Sequence, residues 1–199
     1  PSEKPLHFSA PIAHGCPYDC GICPDHEQHS CLTVVEITER CNLECPVCFA
    51  ESGPVRGKHR SLQEVESMLD AVVHCEGEPD VVQLSGGEPT THPSFFEILD
   101  MARERPITHL MVNTNGLRIA AEPQFAERLA HYAPRFELYL QFDSLEEEPL
   151  RRLRGQDLRK VRQRALARCE DLGIPVTLVV TVARGLNDHQ LGEMLRYAL

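Results

Sequence analysis

Leu32-Thr33-Val34-Val35-Glu36-Ile37-Thr38-Glu39-Arg40-Cys41-Asn42-Leu43-Glu44-Cys45-Pro46-Val47-Cys48 decides how the rest of the chain is read. Residues 32–38 are rich in β-branched side chains and predict a strand. Directly after it come three cysteines at the spacing C-x3-C-x2-C, on the loop leaving the strand's C-terminal end, which is where α/β barrels keep their chemistry. Three thiolates within eight residues can converge on one cubic iron–sulfur cluster and leave its fourth iron to another ligand. The next cysteine, Cys75, lies far along the chain inside a predicted helix, so this site reads as open.

Upstream, Cys16, Cys20 and Cys23 repeat the same spacing, with Cys31 following as a fourth thiolate, and this first site reads as closed. It lies in a stretch rich in Pro, Gly, His and Asp without periodicity, consistent with a segment folded around metal rather than around a core. His14, His26 and His29 are alternatives to Cys31 as fourth ligand. Structural zinc usually takes two separated cysteine pairs, a form that neither triplet has. The total of nine cysteines is odd and no secretory signal is visible, which argues against a disulfide scaffold.

At 199 residues, 42% of them apolar, the chain has material for one substantial core. Thirty acidic against twenty basic residues give a net charge of −10, which argues against a nucleic-acid-binding surface spread over the whole protein. No apolar run approaches a transmembrane length. The chain begins at Pro1 and stops at Leu199 inside a helix-like run, as a piece of something longer would.

From Leu32 onward, strand-like runs at 32–38, 80–85, 107–113, 136–142 and 175–182 alternate with helix-like runs near 61–75, 94–104, 120–132, 156–172 and 188–199. The pattern predicts an α/β fold: a partial TIM-type (βα) barrel of parallel strands with five βα units visible and a sixth missing. The expected division is 1–31 for the irregular iron–sulfur segment and 32–199 for the barrel. Leu62, Val65, Leu69 and Val72 recur on one helix face, as do Leu158, Val161, Ala165, Cys169 and Leu172. Ser61 and Glu64 form a capping-box pattern, and Gly173-Ile174-Pro175 is a stop signal before the fifth strand. Cys75 and Cys169 fall on or near apolar faces and read as core thiols.

Each strand end then carries polar or glycine signals. These are Gly86-Gly87-Glu88-Pro89 after the second strand, Asn113-Thr114-Asn115-Gly116 after the third, Gln141-Phe142-Asp143-Ser144 after the fourth and Arg184-Gly185-Leu186-Asn187-Asp188 after the fifth. Paired glycines let backbone approach a ligand closely. Singly each is an ordinary turn or cap, but a barrel brings all four ends together.

Cys41-Asn42-Leu43-Glu44-Cys45-Pro46-Val47-Cys48, Gly86-Gly87-Glu88-Pro89 and Leu153-Arg154-Gly155 together resemble the radical S-adenosylmethionine superfamily over residues 32–199. The N-terminal stretch from His14 to Cys31 resembles the tetraether lipid synthase group within it, members of which were once proposed as pterin-cofactor methylases. The resemblance implies that Cys41, Cys45 and Cys48 hold a [4Fe–4S] cluster whose open iron is chelated by S-adenosyl-L-methionine. It implies that Gly86, Gly87 and Glu88 hold the methionyl end, with Asn115, Gln141 and Asp143 as candidates for ribose or methionine contacts. Cys16, Cys20, Cys23 and Cys31 would bind a second, auxiliary cluster.

The implied activity is reductive cleavage of the cofactor to a 5′-deoxyadenosyl radical that abstracts hydrogen from an unactivated C–H group. In the lipid reading, two hydrocarbon carbons are then joined. The alternatives are radical modification or methylation of a pterin, peptide or other small molecule and, from another class, a non-catalytic iron–sulfur electron carrier. Arg151, Arg152, Arg154, Arg159, Lys160, Arg162, Arg164 and Arg168 stand against the single acid Asp157. The plain reading is a solvated outer helix face; the functional ones are docking of an acidic flavodoxin- or ferredoxin-type donor or contact with anionic lipid head groups. The enzyme is expected in the cytoplasm, with membrane contact at most peripheral.

Overall fold

A computed structural model describes residues 30–198 of the chain. The chain splits between Ser30 and Cys31, and the architecture below is that of the second unit. Five strands form one sheet in sequence order, all parallel: β1 (Thr33–Thr38), β2 (Val81–Gly86), β3 (His109–Thr114), β4 (Phe136–Gln141) and β5 (Val176–Val179). The helices are α1 (Leu62–Glu76), α2 (Phe95–Arg103), α3 (Leu117–Ala121), α4 (Pro123–Ala130), α5 (Glu147–Arg154), α6 (Arg159–Leu172) and α7 (Leu191–Ala198). Val35, Ile37, Val82, Leu84, Leu110, Val112 and Leu138 pack in one core with Val65 and Leu69 of α1, Phe95 and Ile98 of α2, Phe125 of α4 and Ala165 and Cys169 of α6. These helices therefore cover one face of the sheet, as the outer layer of a partial (βα) barrel does, rather than both faces of a doubly wound sheet.

Local signals explain most element ends. Ser61 accepts from the Glu64 amide while the Glu64 carboxylate accepts from the Ser61 amide, the reciprocal cap that the sequence predicts. Gly173, in the left-handed region at φ 65°, ends α6. The helix expected at 120–132 is two helices, because Pro123 has no N–H and holds Glu122 extended. The helix expected from 156 starts at Arg159, and α5 was not foreseen: its sequence EEPLRRLR is too polar to show a long apolar stripe. It is held by Leu150 and Leu153, which are buried, and by the i,i+4 pairs Glu147–Arg151 and Glu148–Arg152. Cys169 is buried as expected, but Cys75 is exposed, since it sits on the solvent side of α1. None of the described helices is long and apolar enough to cross a membrane.

Candidate active site

The loop bearing Cys41, Cys45 and Cys48 is fixed by backbone before any side chain is considered. Beyond the last β1 pair, Gly87 N–H donates to Thr38 O and Glu88 N–H to Arg40 O, both at 2.8 Å, so the exits of β1 and β2 stay zipped together. A Cβ on Gly86 would lie 2.0 Å from Thr38 O, and one on Gly87 2.3 Å from Arg40 O. Glycine is required at both positions because the chain entering the cysteine loop crosses there at contact distance, in addition to any room it leaves for a ligand. At the loop's far end Arg40 bridges Gly53, with Cys41 N–H donating to Gly53 O. Gly155, the left-handed C-cap of α5, abuts Glu44 O.

Cys41, Cys45 and Cys48 share one cavity with Gly86, Gly87, Glu88, Asn113, Asn115, Gln141 and Arg154. Among the described residues no group of three or more Cys, His, Asp or Glu is arranged to hold a single metal ion. Three thiols lining one cavity are the donor set that a cubic iron–sulfur cluster with one open iron takes. Burial pushes the Cys41 thiol up to about 11, offset in part by the Leu43 N–H on its sulfur and reinforced by Glu88, Cys45 and Cys48. Burial raises Cys45 too, against the opposing charge and hydrogen bond of Arg154. Without metal these two thiols stay protonated at neutral pH, and loading a cluster must release their protons.

Glu88 is buried and its carboxylate carries four bonds. Oε1 accepts from Thr90 N–H, Thr90 Oγ1 and Thr114 Oγ1, and Oε2 accepts from Asn115 N–H at 2.8 Å. It joins the end of β2 to the end of β3, and burial raises its pKa against those bonds. Asn115 Nδ2 donates to Asn42 Oδ1, tying β3's exit to the cysteine loop itself. Gln141 lines the cavity.

Asp143 corrects the expectation of a cofactor contact. It is fully buried and does not line the cavity. Arg154 donates to both its oxygens at 2.8 Å, Arg162 donates at 3.0 Å, and Thr181 N–H donates at 3.0 Å. Its backbone is left-handed at φ 62°, a conformation Asp tolerates better than most side chains. The Arg154 charge also acts on the Cys45 thiol, so Asp143 reaches the cysteines only through Arg154. Asn187, from the fifth strand-end signal, donates to Asp143 O and Thr181 O, and Gln190 accepts from Ser144. Asp143, Ser144, Asn187 and Gln190 therefore hold the last two strand ends to each other, and of these two signals Gln141 is the residue that lines the cavity.

The arginine run divides between the interior and the surface. Arg154 and Arg162 are buried on Asp143; Arg151, Arg152 and Arg159 pair with Glu147, Glu148 and Asp157; Arg168 donates to Ile119 O. Arg151, Arg152, Arg159, Lys160 and Arg164 are exposed, which is the solvated outer face of the plain reading, and three of them sit beside acidic partners. Cys16, Cys20 and Cys23 lie outside the described residues, and Cys31 is exposed just before β1.

Residues 35–198 match the Radical SAM superfamily. The chain belongs to the radical SAM superfamily. Members of this family use a [4Fe–4S] cluster and S-adenosylmethionine, and the chain is an enzyme of that kind. It is 35% identical over 191 residues to the 7,8-dihydro-6-hydroxymethylpterin dimethyltransferase of Methanocaldococcus jannaschii, covering 94% of this chain and 37% of that protein. A GTP 3′,8-cyclase of Alkaliphilus oremlandii is 29% identical over 169 residues, covering 83% of this chain and 51% of that one. The crystal structure of Streptococcus suis SuiB bound to S-adenosylmethionine matches with a TM-score of 0.69 at 19% identity, over 84% of this chain and 37% of that chain, which is a likeness of fold. The chain spans about a third to a half of the length of these relatives.

Proposed function

We propose that the chain carries the radical-generating half of an enzyme that modifies a small polar heterocycle. The observation that carries this reading is the single cavity at the strand ends that joins Cys41, Cys45 and Cys48 to Gly86, Gly87, Glu88, Asn115 and Gln141. The three cysteines would ligate the cluster, and the backbone of Gly86 and Gly87 with Asn115 and Gln141 would hold S-adenosylmethionine. When bound, cluster and cofactor supply a 5′-deoxyadenosyl radical able to take hydrogen from an unactivated C–H group. Glu88 fixes the β2 and β3 exits, and Arg154 places its charge beside the Cys45 sulfur.

The substrate class is supported by the relatives' names, since a dihydropterin and GTP share a 2-aminopyrimidinone ring. The joining of lipid hydrocarbon chains, implied by the resemblance of residues 14–31, has no such support among the relatives named above. An auxiliary cluster on Cys16, Cys20, Cys23 and Cys31 and a flavodoxin- or ferredoxin-type donor complete the reading. Its test is anaerobic reconstitution with iron and sulfide counts, about eight irons per chain being expected for two clusters. This is followed by assay of 5′-deoxyadenosine with a strong reductant. Cys45→Ala should abolish that product, and undiminished cleavage in the variant would refute the assignment.

A further inference from the structure

The face of the sheet turned away from the helices is mixed, with Val34 and Met111 on it beside polar residues. Strand alternation sends Val35, Ile37, Leu84, Val112 and Leu138 into the helix-covered core, and their neighbours to the other side. One row across that open face runs Glu36, Ser85, Asn113, Tyr139 and Thr177. Glu36 is in register with Ser85, Asn113 Nδ2 donates to Ser85 Oγ at 3.3 Å, and Asn113, Tyr139 and Thr177 are in register in turn. Parallel strands buried on both faces are near-continuously apolar, and barrel interiors are filled mainly by branched apolar side chains. Five polar residues in one row depart from that rule. The row begins directly beneath the cysteine cavity: Asn113 lines that cavity, and Glu36 lines an adjoining hollow that shares Phe49, Gly86 and Gly87 with it.

We infer that this row is the substrate platform and that Glu36 is its specificity-determining residue, accepting adjacent N–H donors of a 2-aminopyrimidinone ring. The inference rests on the function proposed above. Neither the Glu36 carboxylate nor the Tyr139 hydroxyl has a hydrogen-bond partner among the described residues, although both stand on the row. A hydrocarbon chain laid there would strip water from a carboxylate, an amide and a phenol and return no hydrogen bonds. A planar ring presenting a ring N–H beside an exocyclic amine fills both carboxylate oxygens at once, as a guanidinium does. Asn113 and Tyr139 can then bond the ring's remaining polar edge.

The test is anaerobic equilibrium dialysis of 7,8-dihydro-6-hydroxymethylpterin against the reconstituted protein, with an isoprenoid glycerol ether in detergent as the hydrocarbon arm. Pterin should bind saturably, and Glu36→Gln should weaken it by about tenfold or more, the scale of losing hydrogen bonds to a charged acceptor. Tyr139→Phe should weaken it less, and Glu170→Gln, an exposed change on α6, should leave it unaltered. Glu36 is exposed on an edge strand, so its replacement should not unfold the protein, and matching melting curves check this. Pterin binding indifferent to Glu36→Gln, or tight binding of the ether with none of the pterin, overturns the inference. Substrate-free cleavage of S-adenosylmethionine, followed in parallel, separates the two failures. If 5′-deoxyadenosine forms while pterin fails to bind, only the platform falls; if none forms in the wild type, the radical reading falls.

Discussion

Replacing Asp143 by Asn should destabilise the metal-free protein far more than an ordinary surface change. The carboxylate is fully buried and is the counter-ion for Arg154 and for Arg162, whose side chain is 2% exposed. An amide of the same shape removes the charge and turns one of its two ends from acceptor to donor, facing a guanidinium or the Thr181 N–H. Two buried cations then share no anion, a defect that costs about 3–5 kcal/mol in comparable buried pairs. For a domain of this size each kcal/mol is worth roughly 2–4 °C, so the melting temperature should fall by roughly 6–20 °C. Burial alone would raise the Asp143 pKa, but Arg154, Thr181 and Arg162 hold it below the ordinary 3.8. A carboxyl with a depressed folded pKa contributes stability above its unfolded value and loses it as pH falls through the folded one. The gap between wild type and variant should therefore be constant from neutral pH down to the unfolded value of 3.8 and close only below it. Calorimetry or circular dichroism of both proteins across that range measures it. A variant melting within about 2 °C of wild type at pH 7 would refute the reasoning.

Gly87→Ala should displace the entry to the cysteine loop, because the new Cβ meets backbone oxygens at 2.3 and 2.9 Å that cannot rotate away; iron per chain after reconstitution should fall sharply, and full loading would contradict the packing argument. Peptide mapping after brief iodoacetamide treatment at pH 8 should find Cys75 modified and Cys169 intact, since Cys75 is exposed while burial pushes Cys169 up to about 11. Equal labelling of the two would contradict the placement of their helices.

The strands and the cysteine loop were legible because both are written locally. β-branched runs mark the strands, and thiol spacing marks the loop. The break between α3 and α4 was legible in principle, since Pro123 announces it, but the apolar positions on either side run on as if one helix spanned them. Asp143, Arg154 and Arg162 were misread for a different reason. A carboxylate after a strand and an arginine on a helix look the same in sequence whether they meet solvent, cofactor or each other. Only the packing of α5 and α6 against the end of β4 turns Arg154 and Arg162 inward. The glycines of Gly86-Gly87-Glu88 were likewise located but incompletely explained, because the backbone that crowds them belongs to Thr38, Glu39 and Arg40.

The stitch between Arg40 and Gly53 makes the cysteine segment an Ω-loop, a compact excursion whose two ends meet. Closing a loop of that span has a length-dependent entropic cost of roughly 2 kcal/mol, which falls on the metal when a flexible peptide wraps around it. Here main-chain bonds between Arg40, Cys41 and Gly53 meet that cost during folding. Assembly of the inorganic core is thereby separated from folding of the polypeptide. The apoprotein should wait as a shaped receptacle, and loss of iron to oxygen should be reversible by re-supply of iron and sulfide without a refolding step.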